Sequence, residues 1–246
     1  MRRRPAVLLL GLMLGLVPAP TLANCILDIS DHQIPITTGF AGSEVLLFGT
    51  VSEPSDVVLT LRGPYSDVTM YRKTRVLGIW VNAADMTFEE APSFFAMAAS
   101  RPVDEIAAES ELRLHQLGPE FLVDLPRAKG SPAVREAWKQ ALLRNMADKG
   151  LYLDGADRVT FLGDTLFRAR LHLPANVPTG QYLASAFCLV DGKVQSAQTV
   201  PLFVEKIGIE AEIFDFAHDF SLAYGLIAVL LALMAGWFAH LAFGRS

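Results

Sequence analysis

The sequence is poor in the residue groupings that carry chemistry. Its five histidines, His32, His115, His172, His218 and His240, are scattered, and no two lie at metal-ligand spacing. With no H-x-H, H-E-x-x-H or C-x-x-C, no metal centre built from protein ligands alone is expected. The seven methionines do not cluster as a copper(I) site would require. There is no G-x-S-x-G, no glycine-rich phosphate loop and no Cys/His spacing that points to a nucleophile. Carboxylates are plentiful, but in an acidic chain they read as a solvated surface. The expectation is a protein that is not an enzyme and needs no cofactor. A hydrolase or redox site assembled from distant positions stays open, because triads form across a fold and not along a chain.

Positive charge is also scarce. Lys and Arg number 21 against 26 Asp and Glu, a formal net charge of -5. Three of the arginines lie in residues 1–23, MRRRPAVLLLGLMLGLVPAPTLA, where they precede an apolar run and a small-residue Thr21-Leu22-Ala23 site. This pattern predicts a secretory signal peptide, with an uncleaved first anchor as the alternative; Pro18 and Pro20 in the apolar run favour cleavage. Removing it takes the charge to -8, and setting aside Arg245 beyond the last helix leaves -9 for the exported part. Such a domain is a poor partner for nucleic acid and for anionic lipid.

What the chain does have is one long uncharged run. Residues 221–243, SLAYGLIAVLLALMAGWFAHLAF, hold no Asp, Glu, Lys or Arg. About 20 such residues span ~30 Å of hydrocarbon at 1.5 Å per residue, so this is a transmembrane helix. A signal peptide followed by a late anchor places residues 24–206 outside the cytoplasm and the tail, 244–246, inside. Arg245 agrees with the positive-inside rule. The expected location is a bacterial inner membrane, with the soluble domain in the periplasm. Tyr224, Ala228, Ala232, Gly236 and His240 recur every four residues on the helix, a small-residue face that lets a partner helix approach.

Outside the cytoplasm the only two cysteines, Cys25 and Cys188, are expected to pair. The alternative is lipidation of Cys25, since Leu22-Ala23-Asn24-Cys25 is reminiscent of a lipobox, although Asn24 stands where a small residue is wanted.

Between the two ends the chain reads mainly as strands. Residues 44–51, 56–62 and 68–82 are apolar or alternating, with a break at Gly78. Turn signals arrive every 8–12 residues, the rhythm of a β-sandwich. From about 88 to 150 Ala, Glu and Leu dominate. This segment predicts a helical insertion of about three helices: 92–100, 103–117, and 133–149 with Ser131 as N-cap and Pro132 at its first position. Strands return at 158–163, at 166–173 with clean alternation, and at 181–190, which is apolar on both faces. Asp191-Gly192 is a hairpin signal with 194–204 as the return strand. The expected fold is an immunoglobulin-like β-sandwich interrupted by about three helices, plus one C-terminal transmembrane helix. In residues 207–220, Ile209, Ile213, Phe216 and Phe220 share one helical face among acidic residues, an amphipathic juxtamembrane segment.

Basic residues gather in a few places. Lys73 and Arg75 share a strand face, Arg168 and Arg170 share another, and Arg101 follows the first expected helix. Together they are candidate ligands for a small anion. The plainer reading is that their stems cover a sheet face opposite carboxylates.

Four blocks, RKTRVLGIWVN (72–82), PSFFAMAASRP (92–102), LFRARLHLPANVPTGQY (166–182) and residues 204–245, resemble the alphaproteobacterial putative transmembrane protein family. The resemblance implies a signal peptide, an exported domain and one C-terminal span. Members of that family are often encoded beside permeases of the sulfite-exporter type. It thereby implies an accessory role to a multi-pass anion or sulfur-compound transporter, and it carries over no catalytic residue.

Overall fold

The computed structural model describes residues 25–123, 131–153, 155–207 and 216–243. The expected signal peptide, the tail and most of the juxtamembrane segment lie outside these residues.

Alternation in the strands builds two sheets face to face. In β10 (Leu166–Leu173) Phe167, Ala169, Leu171 and Leu173 are buried while Arg168, Arg170 and His172 are exposed. β10 pairs antiparallel with β3 (Ser43–Val51), which pairs with β1 (Cys25–Ile29). With β9 (Thr160–Leu162) on its far side, the order is β1-β3-β10-β9. The second sheet has the order β2-β12-β11-β4-β7-β8. Its centre is β4 (Asp56–Arg62) and β11 (Gly180–Val190), flanked by β12 (Lys193–Lys206) and β7 (Phe95–Ala99). The edges are β2 (Gln33–Ile36), parallel to β12, and the short β8 (Asp157–Arg158). Across the first sheet β1-β3-β10-β9 matches the A-B-E-D order of an immunoglobulin sandwich, and β4, β11 and β12 match its C-F-G strands. The fold is the expected immunoglobulin-like sandwich.

A disulfide joins the sheets, and a tyrosine hydroxyl pins the loop that enters β11. Cys25 of β1 and Cys188 of β11 form a disulfide across the core, with Cα atoms 6.0 Å apart. Cys25 is thus committed to a cross-link. Tyr182, fully buried near the start of β11, donates its hydroxyl to the Pro178 carbonyl at 2.6 Å. This is the geometry of a tyrosine corner, which ties a strand to the loop that enters it. At Gly49 a Cβ would lie 2.0 Å from the Ile26 carbonyl oxygen, so only glycine lets β1 sit this close to β3.

A third layer covers the outer face of the six-stranded sheet. Val58, Phe95, Met97, Phe187 and Leu189 pack there against Ile106 of α1 (Val103–Ile106), Leu112 of α2 (Glu109–His115) and Trp138, Leu142 and Met146 of α3 (Pro132–Asp148). β4, β7 and β11 are therefore buried on both faces. α3 starts as its sequence predicts: the Ser131 hydroxyl accepts the Val134 N–H at 3.4 Å, and Pro132 fills the first position.

Two expectations about the insertion are corrected. Residues 92–100 are not a helix; Phe95–Ala99 is the strand β7, paired with β4 from Val58↔Ala99 to Arg62↔Phe95. All five of its residues are buried. Small alanines between two covering layers outweigh alanine's helix propensity, because propensity is a weak prior against full burial. The helical part therefore starts at Val103 and not near residue 88. The expected helix over 103–117 is two, broken at Ala107, whose backbone is extended. A turn of 3-10 helix (Pro119–Phe121) follows.

The segment with a break at Gly78 forms an antiparallel ribbon, β5 (Tyr65–Val76) and β6 (Ile79–Pro92), turning at Leu77-Gly78. It pairs with neither large sheet. α4 (Ser221–Phe243) is the apolar helix, and residues 216–219 before it are also helical.

Candidate functional site

Two clefts meet along the edge of the molecule where β8 runs. The larger, about 700 Å³, has Met97, Ala99, Leu112 and Leu117 in its floor. Its rim carries Arg101, Asp104, Glu120, Asp157 and Arg158. The smaller, about 310 Å³, is lined by Leu46, Asp157, Arg158, Thr160, Arg168, Ala169 and Arg170. Asp157 and Arg158 belong to both.

The geometry follows from strand periodicity. Arg168 and Arg170 lie two apart on the exposed face of β10, so their side chains point the same way. Thr160 of β9 is paired with Arg168 and brings the chain after Arg158 alongside. Three guanidinium groups with one carboxylate, Asp157, therefore line a single cleft. Among the described residues none of these three arginines makes an ion pair. Guanidinium forks of this kind match planar or tetrahedral oxyanions, donating two N–H groups each.

The other anion candidates are placed differently. Arg101 lies at the rim of the larger cleft but is engaged: its Nε donates to Asp56 Oδ1 at 2.9 Å and its Nη2 to Asp56 Oδ2. The Ser100 hydroxyl donates to Asp56 Oδ1 at 2.9 Å as well. The Arg101 hydrogen bond, aided by Ser100, holds the Asp56 carboxyl below the ordinary carboxylate range against partial burial. Lys73 and Arg75 lie in the far half of the β5–β6 ribbon, whose strands pair only with each other. Arg75 donates through Nε to the Gly78 carbonyl at 3.3 Å. The structure thus gathers Arg168 and Arg170 with Arg158, which the sequence reading missed. Arg158 sits in a two-residue strand, too short for any periodic signal to assign it a face.

Arg62 is a structural cation. It donates through Nη2 to the carbonyls of His115 and Gln116 at 2.9 and 3.0 Å, satisfying the open C-terminal end of α2. Tyr152 is similarly committed, donating to the Pro92 carbonyl at 2.7 Å, and burial pushes its phenol pKa up. Among the described residues no group of three His, Cys, Asp or Glu side chains could hold a metal ion.

The remaining candidate surface is α4. Ser221–His240 is apolar enough to cross a bilayer, with mean hydropathy 2.1, and none of the span is buried against the rest of the chain. Tyr224, Ala228, Ala232, Gly236 and His240 are all exposed along it, and a Cβ at Gly236 would meet nothing within 4 Å.

No curated protein matches the chain. Residues 24–245 match the sequence profile of the family described as "Putative transmembrane protein (Alph_Pro_TM)", and the chain, with one apolar span among the described residues, belongs to that family as a membrane-anchored protein.

Proposed function

We propose that this protein is an accessory subunit held on the periplasmic side of a bacterial inner membrane, where α4 packs on a multi-pass partner. The observation that carries the reading is the unburied span, which leaves the row Tyr224, Ala228, Ala232, Gly236 and His240 exposed along its length. Small residues let two backbones approach, and the polar tips of Tyr224 and His240 favour a protein neighbour over lipid. The Cys25–Cys188 disulfide supports an oxidising compartment for the sandwich. A permease of the sulfite-exporter type is the partner that the family resemblance favours. Co-purification of such a permease, co-expressed with the full chain and extracted in mild detergent, tests the reading. Ala232→Leu and Gly236→Leu are expected to reduce permease recovery while the disulfide-bonded domain stays folded. Equal recovery from wild type and both variants would sink it.

A second reading rests on the clustered Arg158, Arg168 and Arg170: the sandwich binds a small sulfur oxyanion or similar anion in the smaller cleft. Arg101 and Lys73, candidates on sequence grounds, are outside that cleft. Calorimetry of the full chain in detergent with sulfite, sulfate, thiosulfate and phosphate tests it. Binding heat that disappears in Arg168→Ala and Arg170→Ala supports the reading, and no heat from any of the four anions removes it.

A further inference from the structure

The β5–β6 ribbon breaks the rule that the rest of the exported domain obeys. Near its root one face is covered: Met86 and Phe88 are buried and Val68 and Met70 half-buried in the cluster that holds Trp138. Arg72 stacks its guanidinium over the Trp138 ring at 4.7 Å. Beyond Arg72 the support ends, and every residue from Lys73 to Asp85 is exposed. Yet the sequence there is apolar. Leu77 is 99% exposed, Ile79 69% and Trp80 65%.

The cross-strand register sorts this far half into two faces. Thr74↔Val81 and Val76↔Ile79 share one face; Lys73↔Asn82 and Arg75↔Trp80 share the other. Between Asp67 and Asp85 the only charges are Arg72, Lys73 and Arg75, so the outer part of the ribbon is basic although the protein is acidic. The turn adds a second anomaly. Leu77 has φ 49° and Gly78 φ 88°, a pair that normally favours Asn-Gly. A leucine held left-handed and fully in solvent serves no folding purpose, and local violations of this kind mark function.

Topology says where the ribbon grows. β4 and β12 are both antiparallel to β11, so they run in the same direction and end at the same end of the sheet. β12 leads on toward α4. β4 leads through Gly63-Pro64 into β5, and Pro64 lies beside Gly180, the residue paired with Val204 of β12. The ribbon is therefore rooted at the end of the sandwich from which the chain departs for its membrane span. Strands of this length reach roughly 35–40 Å at 3.3 Å per residue.

We infer that the far half of the β5–β6 ribbon is a second foot on the bilayer that holds α4. Leu77, Val76, Ile79 and Trp80 enter the headgroup–acyl boundary, and Lys73 and Arg75 meet the phosphates of anionic lipids. A shallow wedge of aromatic and aliphatic side chains with basic residues behind it is the composition that seats on an anionic interface. It does so here although the domain as a whole is acidic, because screening confines the interaction to charges within about 10 Å of the surface. The foot fixes the rotation and height of the sandwich above the membrane, which one helix and its linker alone do not.

The test uses the full chain reconstituted into vesicles of phosphatidylethanolamine and phosphatidylglycerol. An environment-sensitive fluorophore is placed on Leu77→Cys, with Ile26→Cys at an exposed position of β1 as the reference. Emission at position 77 is expected to shift to the blue and to be quenched by lipids carrying a shallow spin label; emission at position 26 is not. Lys73→Glu with Arg75→Glu, or vesicles lacking phosphatidylglycerol, are expected to reverse much of the shift. A water-like, unquenched signal at position 77 overturns the inference, as does a blue shift that arises only when a partner protein is co-reconstituted. Retention of the buried Cys25–Cys188 disulfide under mild reductant checks that each variant is folded. Loss of the permease interaction would leave the result unchanged, so this inference and the proposed function fail separately.

Discussion

β11 and the far half of the β5–β6 ribbon are written in a similar alphabet and end in opposite environments. Both are rich in aliphatic and aromatic residues. Residues 184–189 of β11 are covered on both faces, by the facing sheet and by the helical layer. Residues 73–85 of the ribbon are covered on neither. In β11 apolar surface stabilises the fold at roughly 25 cal/mol per Å² buried. In the ribbon the same kind of surface stays exposed, which is why a contact outside the chain is inferred for it. Exposed apolar surface that is contiguous and rimmed by charge marks an interaction site.

The comparison can be broken most forcefully at the core. Cys188→Ala removes a cross-link between residues 163 apart, for which loop-entropy reasoning predicts about 5 kcal/mol at most. Urea unfolding monitored by near-UV circular dichroism is expected to show a much earlier transition, matched by wild type under reductant. A variant as stable as wild type would mean that the sheets do not depend on this link.

Leu142→Ala comes next. Leu142 is fully buried in α3 beneath the helical layer, and truncation is expected to cost about 2–5 kcal/mol. Because Trp138, one turn away, supports the ribbon root through Arg72, amide exchange should quicken at Met70 and Met86 before it does in β10. Uniform quickening across both sheets would show that the ribbon and the helical layer do not form a separate unit.

A smaller effect separates the sandwich rim from the ribbon by pH. Asp56 has a folded-state pKa depressed chiefly by the Arg101 hydrogen bond. Its contribution is present in full above the unfolded carboxylate pKa and is lost as pH falls through the lower folded value. Asp56→Asn should therefore be less stable than wild type at neutral pH, and the gap should narrow under strong acid. A constant gap across a thermal-melt series down to low pH would refute the assignment.

The smallest expected effect is at the ribbon tip. Leu77→Gly relieves a left-handed leucine, and Trp80→Ser removes exposed surface; both should leave the melting temperature unchanged or slightly raised. A clear drop in stability would mean that the tip is a folding element after all.

Much of this architecture was legible in the chain. The alternation of residues 166–173 places one face of β10 in the core and the other in solvent. Asp191-Gly192 adopts the left-handed turn expected of that pair, at φ 51° and 77°. Ser131-Pro132 starts α3, and the uncharged run 221–243 is one helix. These features rest on local rules: a period of two, a cap, a turn, a length set by the bilayer. β7 was illegible because a strand buried on both faces has no period, and Phe-Ala-Met-Ala-Ala reads as helix when its neighbours are unknown. The arginine cleft was half legible, since Arg168 and Arg170 share a strand face but Arg158 joins them only through the β9–β10 pairing. The ribbon is the clearest case. Its apolar residues read as core strand, and only the exposure of residues 73–85, with no other strand or helix against them among the described residues, makes them surface. Local pattern specifies which side chains avoid water together, whereas whether anything arrives to cover them depends on contacts between residues far apart in the chain.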